Sequence, residues 1–179
     1  MFTSEQQRAL VEIARRAVAR GVSGADPGEV PIMTGLPEAT GAFVTLKKHG
    51  ELRGCIGTLA CRRALPEEVA RVAVSAALED PRFEPVRAAE LNDLDVEVSV
   101  LGPLEPIDPL DPSAIEIGRH GLVVEQGGRR GLLLPQVATE WGWDRKTFLD
   151  QTCAKAGLPR DCWRTGATVY RFAADVFGG

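Results

Sequence analysis

The most constraining feature of this sequence is the segment LDVEVSVL, residues 94–101, in which apolar and polar residues alternate. A period of two places successive side chains on opposite faces of a β-strand. We therefore predict a strand with one face against a core and the other face toward solvent or a cleft. The buried set is Leu94, Val96, Val98 and Val100. The polar set is Asp95, Glu97 and Ser99. Such a strand requires a sheet that is covered on one side.

Helical periodicity elsewhere in the chain predicts the elements that cover this sheet. Apolar residues recur at helical spacing from a capping box that begins at Thr3 up to Gly21, and again over residues 65–80. Shorter helices are predicted to begin at Pro135 and after Asp144, which is a suitable N-cap residue. Amphipathic helices of this kind bury one stripe against a sheet.

The remaining strands are predicted from two hairpins and a final extended segment. The hairpins turn at residues 49–50 and 127–128, where glycine permits a tight turn, and the last strand covers residues 168–177. This order of elements predicts an α+β fold, two-lobed, in which mainly antiparallel strands and helices form a layered sandwich. We expect one domain over residues 1–179, with a Pro-rich link near residues 102–113 that could separate the lobes.

Charge and hydropathy exclude several classes of partner. Acidic residues outnumber basic ones by 25 to 21, and the basic residues are scattered rather than clustered. Nucleic acid is therefore not an expected partner. The beginning of the chain carries a charge every few residues, so we predict neither a signal peptide nor a membrane span. We expect a cytoplasmic protein that does not bind membranes by itself.

The four cysteines are Cys55, Cys61, Cys153 and Cys162. In a chain without an export signal they are expected to be free thiols. Their spacing contains no C-x-x-C pair, so no metal site is predicted. Cys153 falls on the apolar stripe of its predicted helix and is interpreted as a small core residue.

The segment LRGCIG, residues 52–57, places Cys55 between two glycines in a predicted strand. Gly54 and Gly57 weaken a strand and contribute no side-chain packing, so some other interaction must compensate. Either Cys55 is buried under crowding helices, or it is an exposed thiol that a substrate or partner backbone approaches closely. Arg53 shares a face with Cys55 if the alternation is regular, and its charge would then stabilise a thiolate.

Other residues that could act with Cys55 each have a simpler structural interpretation as well. His120, in GRHGL, is either a turn residue or an imidazole presented to a ligand. Glu97 projects beside Asp95 and is either solvated or an acid-base group. Asp80 and Arg82, in EDPRF, either form an ion pair that fixes the turn or anchor an anionic ligand.

Several well-known enzyme signatures do not occur in the sequence. We find no P-loop, no glycine fingerprint for dinucleotides, no H-E-x-x-H and no G-x-S-x-G. The chain has two histidines, so a cysteine-histidine pair can use only His49 or His120, and His49 is predicted to be a solvated turn residue. The residues identify no cofactor.

Several stretches together resemble the AMME-syndrome candidate protein domain, called AmmeMemoRadiSam system protein A in microbes. They are FVTLKKHGELRGCIGTL, ALEDPRFEPV, LDVEVSVLGPLEPI, GRHGLVV, GLLLPQVATEWGWD and WRTGATVYRFAADVF. These stretches run over nearly the whole chain after the first helix, and LRGCIG is the hallmark of that family. The resemblance implies an α+β fold with two lobes. The family name implies association with a Memo-like protein and a radical S-adenosylmethionine protein.

Two functions from different classes stay open on this basis. In the first, the LRGCIG strand forms a ligand or active site in which Cys55 acts on a small molecule or a modified protein, with His120 or Glu97 as the base. The expected ligand-binding residues are Arg53, Gly54, Gly57, Asp80 and Arg82. In the second, the chain is a non-catalytic adaptor whose glycine-flanked strand receives a Memo-like or radical S-adenosylmethionine partner. The substrate, the cofactor and the oligomeric state do not follow from the residues.

Overall fold

The structure, a computed structural model, describes residues 1–179. The fold is α+β, as the sequence predicts, and the chain divides into two compact units. Unit 1 comprises residues 1–101 and 175–179, and unit 2 comprises residues 102–174. Each unit has its own cluster of buried apolar side chains. None of the helices combines the length and the apolar character that crossing a membrane requires.

Two helices cover the sheet of unit 1. Helix α1 (Ser4–Val22) begins with the predicted capping box, in which the Thr3 hydroxyl accepts from the Gln6 N–H and the Gln6 side chain accepts from the Thr3 N–H. Helix α2 (Leu65–Leu78) carries Pro66 in its first turn, where a backbone N–H has no partner within the helix. Helix α2 packs on α1 and on the first two strands of the sheet.

The sheet of unit 1 is built on three antiparallel strands in the order β2-β1-β3. They are β1 (Gly41–Lys48), β2 (Glu51–Thr58) and β3 (Leu94–Leu101). The predicted hairpin turn joins β1 to β2, and a short 3-10 helix (Ala88–Asp93) leads into β3. Strand β2 is the edge of this sheet, which leaves one side of its backbone to be satisfied by other groups.

Strand β3 confirms the predicted alternation on its apolar face and departs from it at one polar position. All four apolar residues are buried, and Val98 is 0% exposed. On the other face Asp95 is exposed and Glu97 is half-buried, but Ser99 is buried, contrary to the prediction. Ser99 lies opposite Phe43 of β1, so this end of the polar face is occupied by an aromatic neighbour rather than by water alone.

Unit 2 contains strands β4, β5 and β6, residues 168–174 of β7, and two helices. The strands are β4 (Glu105–Ile107), β5 (His120–Gln126), β6 (Arg129–Leu133) and β7 (Thr168–Gly178). Strand β7 lies between β4 and β5, β6 pairs with the other side of β5, and all of these pairs are antiparallel. The helices are α3 (Pro135–Trp141) and α4 (Arg145–Lys155), and Asp144 caps α4 as predicted. Strand β4 lies in the Pro-rich segment, which the sequence predicts to be a link. The sequence gives no signal for β4 because its partner strand, β7, lies far along the chain.

Cys153 and Cys162 form a disulfide bond within the core of unit 2. The expectation of free thiols is therefore wrong for these two cysteines and correct for Cys55 and Cys61. Cys153 is fully buried, as its position on the helix stripe predicts. The bond joins α4 to a short 3-10 helix (Cys162–Arg164), and only the packing of the unit brings these two elements together.

Candidate functional site

Cys55 lies in β2 and is half-buried. The strand register places Thr45 of β1 opposite Cys55 and Glu97 of β3 opposite Thr45, so these three residues form one row across a face of the sheet. The hydroxyl of Thr45 donates to Cys55 Sγ over 3.3 Å. We call these three residues the Cys55 row.

An ion pair that follows α2 holds the backbone of Cys55. Asp80 Oδ2 accepts from the Cys55 N–H over 3.0 Å, and Arg82 Nη2 donates to the Cys55 carbonyl oxygen over 3.5 Å. Asp80 and Arg82 bind each other through two hydrogen bonds, Nε to Oδ1 at 3.0 Å and Nη2 to Oδ2 at 2.7 Å. The predicted ion pair is confirmed, and it occupies the free side of the edge strand at Cys55.

The two side chains of the Asp80–Arg82 ion pair differ in their solvent exposure. Asp80 is 5% exposed, and the hydrogen bond from the Arg82 side chain, together with those from backbone N–H groups, outweighs its burial and holds its pKa well below the usual range. The Arg82 side chain is 55% exposed. Its hydrogen bond to Asp80 raises the pKa of Arg82 against the opposing effect of burial, and the charge of Asp80 raises it further. Arg82 is thus the cation next to Cys55 and is also accessible to a ligand.

Arg53 was expected beside the sulfur, and the structure corrects this. Its guanidinium binds the Glu90 carboxylate, at 3.1 Å from Nε and 3.2 Å from Nη2, and donates to the Glu84 carbonyl oxygen at 2.7 Å. The register of the β1–β2 pair shifts at this point, so that Leu46 opposes Gly54 while Lys47 opposes Leu52. Arg53 is therefore the extra residue of a β-bulge. Regular alternation no longer predicts to which face of the sheet a side chain points at such a position.

The two glycines beside Cys55 are explained by packing within unit 1. A Cβ atom at Gly54 would overlap the carbonyl oxygen of Ala76 in α2, and a Cβ atom at Gly57 would overlap the ring of Phe43. The prediction that these glycines leave room for a partner atom is therefore wrong, because the chain itself occupies the space. Helix α2 passes close to the backbone of β2 on one face, and an aromatic ring lies against it on the other.

The two candidate bases have different surroundings. Glu97 belongs to the Cys55 row, with β1 between it and Cys55, and its carboxylate binds Lys47 Nζ over 3.3 Å. His120 lies in unit 2, and its Nδ1 accepts from the Glu116 N–H over 2.9 Å. Burial first, and then the charge of Arg171, lowers the pKa of His120, which keeps its ring neutral at pH 7. The role of His120 as a base for Cys55 stays a prediction.

Comparison with known proteins identifies the family. Residues 11–177 match the family model described as AMMECR1. The chain belongs to the AMMECR1 family. It is 50% identical over 185 residues to a protein of Methanothermobacter thermautotrophicus, covering 98% of this chain and 95% of the relative. A Pyrococcus furiosus protein, PF1979, is 48% identical over 179 residues, covering 94% and 85% of the two chains.

A solved structure supports the α+β fold of this AMMECR1 chain. The crystal structure of the uncharacterized protein PH0010 from Pyrococcus horikoshii matches with a TM-score of 0.84 and 44% sequence identity. The match covers 99% of this chain and 93% of that one. The resemblance inferred from the sequence motifs is thus confirmed at the level of family and fold.

Two residues of the candidate site, Thr45 and Glu90, were missed from the sequence. Counting pairs outward from the hairpin turn without a bulge would place Val44, not Thr45, opposite Cys55, and the bulge changes this count by one. Glu90 gave no signal because its side-chain partners, Arg53 and Lys48, lie far away in the sequence. It accepts from Arg53, from Lys48 Nζ at 3.0 Å and from a backbone N–H, and these bonds lower its pKa to about 2, with Arg53 as the largest cause.

We expect acid to destabilise this AMMECR1 chain through Asp80 and Glu90. Both carboxyls have a lower pKa in the folded chain than the unfolded values of about 3.9 and 4.3. Their stabilising contribution is therefore complete above those unfolded values and is lost as the pH falls toward 2. Urea unfolding followed by circular dichroism should show a free energy of unfolding that falls between about pH 5 and pH 2.5.

A pair of matched variants isolates this acid effect. The double variant Asp80→Asn, Glu90→Gln should be less stable at pH 7 and should lose much of the decline in acid. The control Asp93→Asn, Glu29→Gln removes the same two charges from exposed positions and should keep the decline. An unchanged pH dependence in the first double variant would contradict the assignment.

Proposed function

We propose that this AMMECR1 chain carries an active site at the LRGCIG strand, in which Cys55 acts as a nucleophile on a small molecule or a modified protein. The observation that carries the proposal is the surroundings of the thiol. A hydroxyl donates to the sulfur, an exposed guanidinium donates to the carbonyl oxygen of the same residue, and a buried carboxylate accepts from its N–H. Polar groups converging on a partly accessible cysteine are typical of a reactive thiol.

Each neighbouring residue has a defined role in this chemistry. Thr45 donates to the sulfur and orients it, and the exposed guanidinium of Arg82 binds an anionic group of the substrate. The sulfur electron pair forms a bond to an electrophilic carbon, and the leaving group departs with the electrons of the bond that breaks. The thiol proton passes to a base, for which Glu97 in the Cys55 row and His120 are the candidates. Arg53 holds Glu90 and acts on the site only through the backbone of β2.

One observation favours the alternative, a non-catalytic adaptor. Strand β2 is a sheet edge, and edge strands can receive a partner strand. At Cys55, however, the N–H and the carbonyl oxygen are already bonded to Asp80 and Arg82. A strand added here would have to displace both bonds, which disfavours this mode of binding. A Memo-like or radical S-adenosylmethionine protein is the partner to test in that case, on the strength of the family resemblance.

Alkylation kinetics test the proposal directly. With iodoacetamide at pH 7 and readout by peptide mass spectrometry, Cys55 should react faster than Cys61, because burial and the charge of Glu68 raise the pKa of the Cys61 thiol. Arg82→Gln should slow the reaction of Cys55 by about three- to tenfold, since it removes the adjacent cation. Thr45→Val should also slow it, because the donor to sulfur is lost.

The controls separate a reactive thiol from an accessible one. Arg8→Gln removes one exposed arginine from α1 and should leave the Cys55 rate unchanged. Cys55→Ser should keep the free energy of unfolding within about 1 kcal/mol, since it is nearly isosteric at a half-buried position. If Cys55 reacts no faster than Cys61, and Arg82→Gln has no effect, the nucleophile proposal fails. Co-purification with a Memo-like protein then becomes the decisive measurement for the adaptor.

A further inference from the structure

A concave surface lies near the end of β2 and includes Thr58, whose side chain points to the face opposite Cys55 because alternate residues of a strand face opposite sides. It encloses about 520 Å³. Its lining residues are Thr58, Ala60, Arg62, Arg63, Glu68 and Arg71. We call it the arginine pocket. Neither the Cys55 row nor the Asp80–Arg82 pair lines it, so it is separate from the proposed active site.

The floor of the arginine pocket is a buried carboxylate. Glu68 is 1% exposed, and its Oε1 accepts from the backbone N–H groups of Arg62 at 3.0 Å and Arg63 at 3.2 Å. Its Oε2 binds Arg71 at 2.9 Å from Nε and 2.8 Å from Nη2. Burial alone would raise the pKa of Glu68, but these hydrogen bonds outweigh it and lower the pKa, so the group is ionised at neutral pH.

This arrangement fixes the loop that carries two further arginines. Burying an ionised carboxylate is unfavourable unless every oxygen is satisfied, and Glu68 meets that condition by binding the backbone of Arg62 and Arg63. The two guanidinium groups themselves form no ion pair and are exposed at the rim. Arg71 balances the charge of Glu68, so the pocket keeps two uncompensated positive charges on a backbone that is held in place.

We propose that the arginine pocket binds a small molecule that carries a phosphate or pyrophosphate group. The charges of Arg62 and Arg63 match a phosphate dianion, and the planar guanidinium fork matches the spacing of phosphate oxygens. The volume of about 520 Å³ leaves room for the rest of such a ligand. This binding site is independent of Cys55, so its failure would not bear on the nucleophile proposal.

Calorimetric titration of the full chain with inorganic pyrophosphate at low salt tests the arginine pocket. We expect saturable binding to one site in the wild-type chain. The double variant Arg62→Gln, Arg63→Gln should weaken binding by at least about tenfold, because both charge-assisted contacts are lost. The control Arg15→Gln, Arg16→Gln removes the same charge from an exposed part of α1 and should change the affinity by less than about twofold.

The reactivity of Cys61 provides a second readout, because this half-buried thiol lies between Ala60 and Arg62 of the pocket. Pyrophosphate should slow alkylation of Cys61 and leave that of Cys55 unchanged. In the Arg62→Gln, Arg63→Gln variant this protection should disappear. The proposal is overturned if the wild-type chain shows no saturable binding, if the α1 control loses affinity equally, or if both cysteines are protected alike.

Discussion

Replacing Val98 by Asp should lower the free energy of unfolding by at least about 4 kcal/mol, which is a large fraction of the total stability of an ordinary domain. Val98 lies in the middle of β3, is 0% exposed and faces Val44 across the strand pair. Both residues belong to the apolar core of unit 1. An aspartate there would be an unpaired charge or a protonated acid without a partner. Urea unfolding monitored by circular dichroism measures the loss.

Two further variants in β3 separate the effect of a buried charge from the effect of lost side-chain volume and from the effect of a substitution on the exposed face. Val98→Ala removes volume without adding charge and should lower the free energy of unfolding by about 1–3 kcal/mol. Asp95→Asn changes the exposed face and should alter it by less than about 0.5 kcal/mol. A Val98→Asp chain within about 1 kcal/mol of the wild type would contradict the burial of this face.

Replacing Gly54 by Ala should lower the free energy of unfolding by about 3 kcal/mol or more. The added methyl would overlap the carbonyl oxygen of Ala76, which is a backbone atom of α2 and cannot rotate away. The helix would have to move from the sheet, and the apolar contacts between them would weaken. In a strand without this contact, alanine in place of glycine would instead be favourable by about 0.5–1 kcal/mol. Thermal and urea unfolding show whether Gly54→Ala lowers or raises the free energy of unfolding.

The matched control for Gly54→Ala is Gly21→Ala in α1. There the nearest atom to the new methyl is Val74 Cγ1 at 3.1 Å, which belongs to a side chain that can adjust. Alanine also has the higher helix propensity, so we expect a change within about 1 kcal/mol. A Gly54→Ala chain as stable as the wild type would revive the interpretation that this glycine leaves space for a partner.

The secondary structure could be predicted wherever its signal is local. The capping box at Thr3, Pro66 in the first turn of α2, and Asp144 before α4 all lie at the positions expected from the sequence. The alternation of residues 94–101 gave the strand and its buried face. Strand β4 was missed because three residues, one of them proline, form a strand only when β7 lies beside them.

The candidate site could be predicted in part. The LRGCIG segment located Cys55, and the two-residue spacing of Asp80 and Arg82 indicated their ion pair. The partners of the thiol could not be predicted, because a single β-bulge moves Thr45 opposite Cys55 and leaves Arg53 to bind Glu90. One extra residue in a strand changes every later pairing, and nothing in the local composition announces it.

The sequence by itself determined the family, the α+β class, the principal helices and strands, and the position of the cysteine segment. Those properties depend on short-range periodicity, capping residues and motifs. The tertiary structure decided that Cys153 bonds to Cys162, that Gly54 accommodates Ala76, and that Arg82 is the arginine hydrogen-bonded to Cys55. These contacts join elements whose separation in the chain is bridged only by packing and strand register, which a linear pattern does not encode.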